Sequence, residues 1–252
     1  MDEWQLWMNT DPDQVSDVSY ADKLAAEHDW ITQKYAPATR NLNHKKQYNT
    51  RVFFENCVEP NTVYVRFDDD IVYIHEDALA TLVKSKLSSS AFVTFPIIWN
   101  NAISTWYLQM QGCVPREWGE VQPYCMDPIG WADGPFAEKM HNLLLDHVEA
   151  GTVSKLFLYH DVQLPLGQQF SVSCFASLSE EYHNHCTPPG YIEHTDDEAW
   201  HSIEMPTRLN RPTAIAGNAL VSHYTFYPQR DHIQKTDILD RYRAAAEKLS
   251  PA

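Results

Sequence analysis

Val63-Tyr64-Val65-Arg66-Phe67-Asp68-Asp69-Asp70-Ile71-Val72-Tyr73-Ile74 decides how the rest of the chain is read. Runs of β-branched and aromatic residues flank three consecutive aspartates, and each run has the composition of a buried strand. Three adjacent carboxylates repel one another at close range and lose hydration away from water. A hard divalent cation such as Mg(II) or Mn(II) removes both penalties, because it takes oxygen ligands. Strand, Asp-Asp-Asp, strand is therefore the pattern of a metal-and-phosphate site at the end of a sheet. A solvated acidic turn between two hairpin strands would use the same residues, so the triplet alone leaves both readings open.

Downstream, Glu76 to Leu87 reads as a helix, with Leu79, Leu82 and Val83 apolar and Lys84 and Lys86 late, where cations suit the helix dipole. Ala91 to Trp99 is a second buried strand, ending at Asn100-Asn101. Strand, helix, strand at this spacing predicts a right-handed crossover and an α/β fold with a mostly parallel central sheet flanked by helices. Ligands of such sheets lie beyond the carboxyl ends of the strands, where Asp68 to Asp70 and Asn100-Asn101 fall. Residues 111–135, rich in Pro, Gly and Trp, read as a long loop on the acceptor side. Phe136 to Ala150 is an amphipathic helix with Met140, Leu143, Leu144 and Val148; Gln168 to Ser177 and Ala214 to Tyr224 read as strands, and Thr236 to Leu249 as a final helix.

Upstream, Trp4 to Asn9 alternates apolar and polar residues as a strand does, and Asp17 to Ile31 holds a helix. Tyr35 to Lys46 is polar and basic, the composition of a phosphate-facing loop and equally of a solvated one. Tyr48 to Cys57 reads as a short helix carrying Arg51, the basic candidate for contact with a cofactor.

The 252 residues suit one domain, residues 1–252, with apolar content of 44% for its core. With 34 acidic against 19 basic residues the net charge is −15, which argues against a nucleic-acid backbone or an anionic membrane as the main partner. Five dispersed cysteines without a Cys-x-x-Cys imply no disulfide framework. No apolar run reaches membrane-spanning length and the start does not read as a signal peptide, so a cytoplasmic protein is expected.

Three stretches in order carry a resemblance: Asn61 to Tyr73, then Trp99-Asn100-Asn101-Ala102, then Gly217-Asn218-Ala219-Leu220-Val221-Ser222-His223 leading into Phe226-Tyr227-Pro228-Gln229-Arg230 and Thr236 to Tyr242. Together they resemble a microbial and fungal group of glycosyltransferases with the nucleotide-sugar fold called GT-A. The resemblance implies that Asp68 and Asp70, as an Asp-x-Asp pair, hold Mn(II) or Mg(II) on the donor diphosphate, with Asp68 also on the ribose. It implies that the late His223 completes the metal shell; a core histidine bonded to a carbonyl is the alternative. A general base for the acceptor hydroxyl has to be a carboxylate or histidine within hydrogen-bond reach. The acidic stretch Thr195-Asp196-Asp197-Glu198-Ala199-Trp200 fits the position the resemblance implies, with Asp197 first and Glu198 second; helix-capping acids would have the same sequence.

Other readings compete for some of these residues. His183, His185, Cys186 and His194 have the chemistry of a zinc site without a standard spacing. Trp118, Tyr124 and Trp131 could stack on a sugar ring or pack onto the domain. Compared with the family, the chain opens on what resembles its second strand. The expectation is therefore an exposed or re-ordered sheet edge, with self-association or a weaker nucleotide-base pocket as its consequence. The reading is a metal-dependent glycosyltransferase taking a nucleotide sugar to an unidentified acceptor. A non-catalytic sugar- or nucleotide-binding relative is the first rival. An Asp-based phosphatase is the second, although Val72 stands where its Asp-x-Asp-x-Thr pattern needs Thr.

Overall fold

The computed structural model describes residues 3–8, 14–35, 53–185 and 197–249. Where the sequence reads as one domain, the contacts fall into two compact units, Met1–Pro60 with Ser179–Asp197, and Asn61–Leu178 with Glu198–Ala252.

In the first unit, β1 (Trp4–Met8) pairs in parallel with β2 (Ile31–Tyr35) in a two-stranded sheet, and α1 (Val15–Glu27) connects them. The alternating Trp4-Gln5-Leu6-Trp7 pattern puts Trp4 against Trp30, centroids 5.9 Å apart, and Trp7 against Phe53 at 5.1 Å. A helical turn at residues 53–55 follows, and Phe54 stacks on Tyr182 of α5 (Ser179–His185). Strand β2 falls between the helix expected at Asp17 to Ile31 and the basic loop expected from Tyr35, sharing one residue with each. Cys186, His194 and Arg51 lie outside the described residues.

The second unit holds six strands. Five lie in the order β3-β7-β5-β8-β4, namely β3 (Val63–Phe67), β7 (Cys174–Leu178), β5 (Thr94–Trp99), β8 (Ala214–His223) and β4 (Ile71–Ile74); β6 (Val162–Gln163) joins β8. The expected mostly parallel sheet is corrected here: the sheet is mixed. Among the described neighbouring strands of this sheet β5/β8 is the one parallel pair, while β3/β7, β5/β7, β4/β8 and β6/β8 are antiparallel. For β4 the cause is the acidic triplet. The Ile71 amide donates to the Asp68 carbonyl at 3.3 Å and turns the chain back, so β4 enters the helix α2 (Ala78–Ser88) running against β5. The same turn bends the sheet. Three intervening strands would set flat edge strands about 19 Å apart, yet the link from Phe67 to Ile71 reaches only about 14 Å. The two edges therefore curl towards each other at the Asp68–Asp70 end.

Helix α2 packs across β3, β7, β5 and β8. Its Lys86, in the last turn where a cation suits the helix dipole, is buried, and its Nζ donates to the carbonyls of Ala91 and Phe92. Strand β5 is buried along its whole length, and Phe95 stacks on Phe170 at 4.3 Å. Each such side chain contributes roughly 1.5–3 kcal/mol by leaving water. Pro96 lacks the amide that a ladder needs, and there the register skips from Pro96↔Ala216 to Ile97↔Leu220. The displaced Gly217 donates to Asp161 Oδ1 at 2.8 Å, and a Cβ on it would lie 2.5 Å from the His160 carbonyl oxygen, which only glycine avoids.

Helix α3 (Ala102–Gln111) is capped by Asn101, whose Oδ1 accepts from the Ser104 amide at 3.1 Å. Helix α4 (Gly134–Glu149) begins at Asp133, whose Oδ1 accepts from the Phe136 amide at 2.8 Å, with Pro135 in its first turn. That cap should be measurable: Asp133→Ala is expected to lower stability in urea unfolding by about 1 kcal/mol, and an unchanged midpoint would show the bond to be idle. The apolar stripe of α4 buries Phe136, Ala137, Met140, His141, Leu144 and Leu145. Residues 197–209 form α6, α-helical at each end and π-helical at Trp200–Glu204. The short α7 (Arg230–Ile233) packs on α4, and α8 (Ile238–Leu249) on α4 and β4.

Candidate functional site

The turn that bends the sheet also sets its acidic residues. Asp68 donates its amide to the Ser173 carbonyl at 2.8 Å, and the Asp70 carbonyl accepts from the Tyr224 amide at 2.9 Å. Asp70 is thereby fixed to the residue after His223, and Ile71 faces His223 in the β4/β8 register. The two side chains meet: His223 Nε2 lies 3.1 Å from Asp70 Oδ2. Phe226 covers the imidazole, with centroids 4.3 Å apart.

Two atoms of this pair are stranded. Asp70 Oδ1 and His223 Nδ1 are inaccessible to water and have no hydrogen-bond partner. A buried unsatisfied group costs about 1–3 kcal/mol and calls for an explanation such as a bound ion. The donor set, a carboxylate beside an imidazole, offers ligand types that Mn(II) or Mg(II) accepts. The 3.1 Å contact joins Oδ2 and Nε2 at an ordinary hydrogen-bond distance, whereas the stranded atoms are Oδ1 and Nδ1. Among the described residues no three His, Cys, Asp or Glu side chains converge, so water or substrate oxygens would complete such a shell.

The remaining sequence candidates divide sharply. Asp68 Oδ1 is held by Arg66 Nη2 at 2.8 Å, and Arg66 lies over the Phe175 ring. Asp69 is exposed. Asn100 is buried with φ +62°, a conformation asparagine tolerates better than most residues. Its Nδ2 donates to Gln229 Oε1 at 3.0 Å and to the Tyr224 carbonyl at 3.2 Å, while Gln229 Nε2 donates back at 3.3 Å. Asn100 thus braces the strand end behind Asp70 and His223. Asn101 caps α3, and its Nδ2 is buried without a partner. Asp197 is half-buried at the start of α6. Glu198 Oε1 accepts from Gln169 Nε2 at 2.6 Å and lies 3.6 Å from Cys125 Sγ.

The long loop is packed rather than loose. Gln109 Nε2 donates to the Gly119 carbonyl at 2.7 Å and its Oε1 accepts from the Val121 amide at 3.0 Å. The buried Asp127 accepts three amides, from Gln122, Ile129 and Gly130, at 2.8–3.1 Å. Gly130 presses on α3 so closely that a Cβ would lie 2.8 Å from Ala102 Cα. Of the three loop aromatics singled out in the sequence, Trp131 reaches the site region, with its ring 6.4 Å from that of Phe226.

A buried network behind the pair was missed by the sequence reading. His141 Nε2 lies 2.7 Å from the Tyr224 carbonyl, and its Nδ1 3.0 Å from Tyr242 Oη, which is 3.1 Å from Ser222 Oγ. The carbonyl can only accept, so Nε2 carries the proton and Nδ1 accepts from Tyr242. Burial pushes the His141 pKa down to about 4, against a partial pull upward from the Tyr224 carbonyl; the charge of His223 adds to the lowering. The available signal was its spacing, since Ala137, His141, Leu144, Leu145 and Val148 form one stripe of α4.

Comparison of the chain with family models, with curated proteins and with solved structures finds no match. No helix among the described residues is long and apolar enough to cross a membrane.

Proposed function

We propose a metal-dependent glycosyltransferase of GT-A type, taking a sugar from a nucleotide-sugar donor to an acceptor hydroxyl. The observation that carries the reading is the Asp70–His223 pair at the strand ends, with Asp70 Oδ1 buried and unpartnered. Asp70 and His223 would hold Mn(II) or Mg(II), and such an ion supplies positive charge to the departing diphosphate. A chain of net charge −15 has little other means of attracting that group. The Arg66–Asp68 pair flanks the turn, and Asn100 and His141, through Tyr224, keep the strand end from shifting. Asp197 and Glu198 remain the proposed bases for the acceptor hydroxyl.

One observation favours the rival, a non-catalytic sugar- or nucleotide-binding relative: the Glu198 carboxylate is already engaged by Gln169. The experiment is a panel of uridine, guanosine and adenosine diphosphate sugars with Mn(II), following both binding by calorimetry and donor hydrolysis. Binding with turnover supports the transferase, and binding without turnover supports the rival. No binding of Mn(II) or of any donor would remove both.

A further inference from the structure

The sequence from Leu87 to Pro115 contains no charged residue, so α3 carries none. A surface helix ordinarily turns charged side chains outward, and a helix that is apolar all round is covered by something else. The second half of α3 turns Trp106, Tyr107 and Met110 outward, neighbours on one helical face, and Met110 is 58% exposed. Trp106 and Tyr107 stand edge to face at 4.7 Å. The same surface continues past the helix end. Gln111 Oε1 accepts from the Tyr159 amide at 3.0 Å, and its Nε2 donates to the Phe157 carbonyl at 2.8 Å. These two bonds hold Tyr159, 83% exposed, beside the last turn of α3. Arg116, on the turn that follows, brings Nη2 to 2.8 Å from Met110 Sδ.

We infer that this face of α3 is the docking surface for a second copy of the chain in a two-fold dimer. Such a dimer needs neither the metal nor the transferase reading. Aromatic residues, Met and Arg are the types enriched at the centres of protein interfaces, where charged residues are depleted. Charge also selects the occupant. Two chains of net charge −15 repel one another over much of their surfaces, and the uncharged face of α3 lets them meet without burying a charge. The rim around it is balanced: Arg116 and Lys155 are exposed, and so are Glu117 and Glu120. In a two-fold contact a surface meets itself reversed, so each cation of one copy can face a carboxylate of the other. A strongly acidic or strongly basic partner would meet as much repulsion as attraction at that rim. Arg116 Nη1 lies 3.8 Å from Glu120 Oε1 within one copy, an exposed pair weak enough to be exchanged across the contact. The helix supplies this contact through side chains, whereas association at a sheet edge would use backbone pairing.

The test is sedimentation of the full chain from about 1 to about 100 μM, the range in which a contact of modest affinity assembles. The parent is expected to pass from monomer to dimer. Met110→Glu sets two carboxylates against each other across the axis and is expected to weaken the dimer about a hundredfold, about tenfold from each copy. Tyr159→Ser should weaken it in the same direction through a different element. Both side chains are exposed, so each variant should keep the parent's thermal midpoint, which separates lost association from lost folding. Tyr227→Ser, at a residue 82% exposed but outside this face, should dimerise like the parent. A parent that stays monomeric throughout overturns the inference. So does a dimer that Met110→Glu and Tyr159→Ser leave unchanged, or one that Tyr227→Ser weakens as much as they do.

Discussion

Lowering the pH from about 6.5 to about 4 is expected to remove about 3 kcal/mol of folding stability through one side chain, His141. In the unfolded chain this imidazole titrates near its ordinary value of 6.5; in the folded protein it is held to about 4. Above that window neither state is protonated and the group is neutral in its effect. Within it the unfolded chain binds a proton that the folded protein refuses, so stability falls as pH falls. Below about 4 both states carry the proton and the loss levels off. The physical cause is a site with no room for charge: Nε2 is committed to the Tyr224 carbonyl, and Nδ1 has to remain an acceptor for Tyr242. Other groups titrate over the same range, so the measurement is a difference. Urea unfolding of the parent and of His141→Gln at pH 7, 5.5 and 4 should show the gap between them shrinking by about 3 kcal/mol. His141→Gln keeps a donor for Tyr224, which limits its own damage at neutral pH. A gap that stays constant across the window would mean that His141 is protonated as easily folded as unfolded.

Much of the second unit was legible because its signals are local. The runs on either side of Asp68–Asp70, the apolar run ending at Trp99 and the stripe of α4 all specify elements within a few residues of their bounds. What the sequence does not carry is the direction in which elements meet. The same three aspartates permit a crossover or a reversal, and the 3.3 Å bond from Ile71 to Asp68 selects the reversal. The reversed direction of β4 follows from that turn, and β6 and β7 add the other antiparallel pairs. Strand β2 was hidden because Ile31 to Tyr35 has apolar residues only at its two ends, with no alternation, and its pairing partner is β1, twenty-seven positions earlier. Of the candidate site, Asp70 and His223 were legible as ligand types and only the fold could bring them to 3.1 Å. Asn100 was legible as a polar residue at a strand end, and its brace to Gln229 depends on a residue more than a hundred positions later. His141 was overlooked because a histidine inside an apolar stripe reads as a defect in amphipathicity until its partners are known.

Asp70→Ala is expected to abolish the response of the protein to Mn(II) while leaving the metal-free protein about as stable as the parent. The first half follows from mass action: an ion at a hundredfold excess over its dissociation constant stabilises the folded state by about 2.7 kcal/mol. Without the carboxylate, His223 alone offers a single nitrogen, and the response should fall below detection. The second half follows from two opposed changes. Removing Asp70 leaves the buried His223 Nε2 without this partner, a loss of about 1–3 kcal/mol, and it also removes the buried, unpartnered Oδ1, whose presence costs about as much. The two nearly cancel. A residue placed for packing would behave differently, since its loss would destabilise the metal-free protein and leave any ion response intact. Asp70→Asn separates the terms further, because it keeps the shape and the stranded atom but gives up the charge that a cation requires. Thermal unfolding of the parent and both variants, with and without Mn(II), is the measurement. An undiminished Mn(II) shift in Asp70→Ala would place the ion elsewhere and leave the Asp70–His223 contact as a structural one.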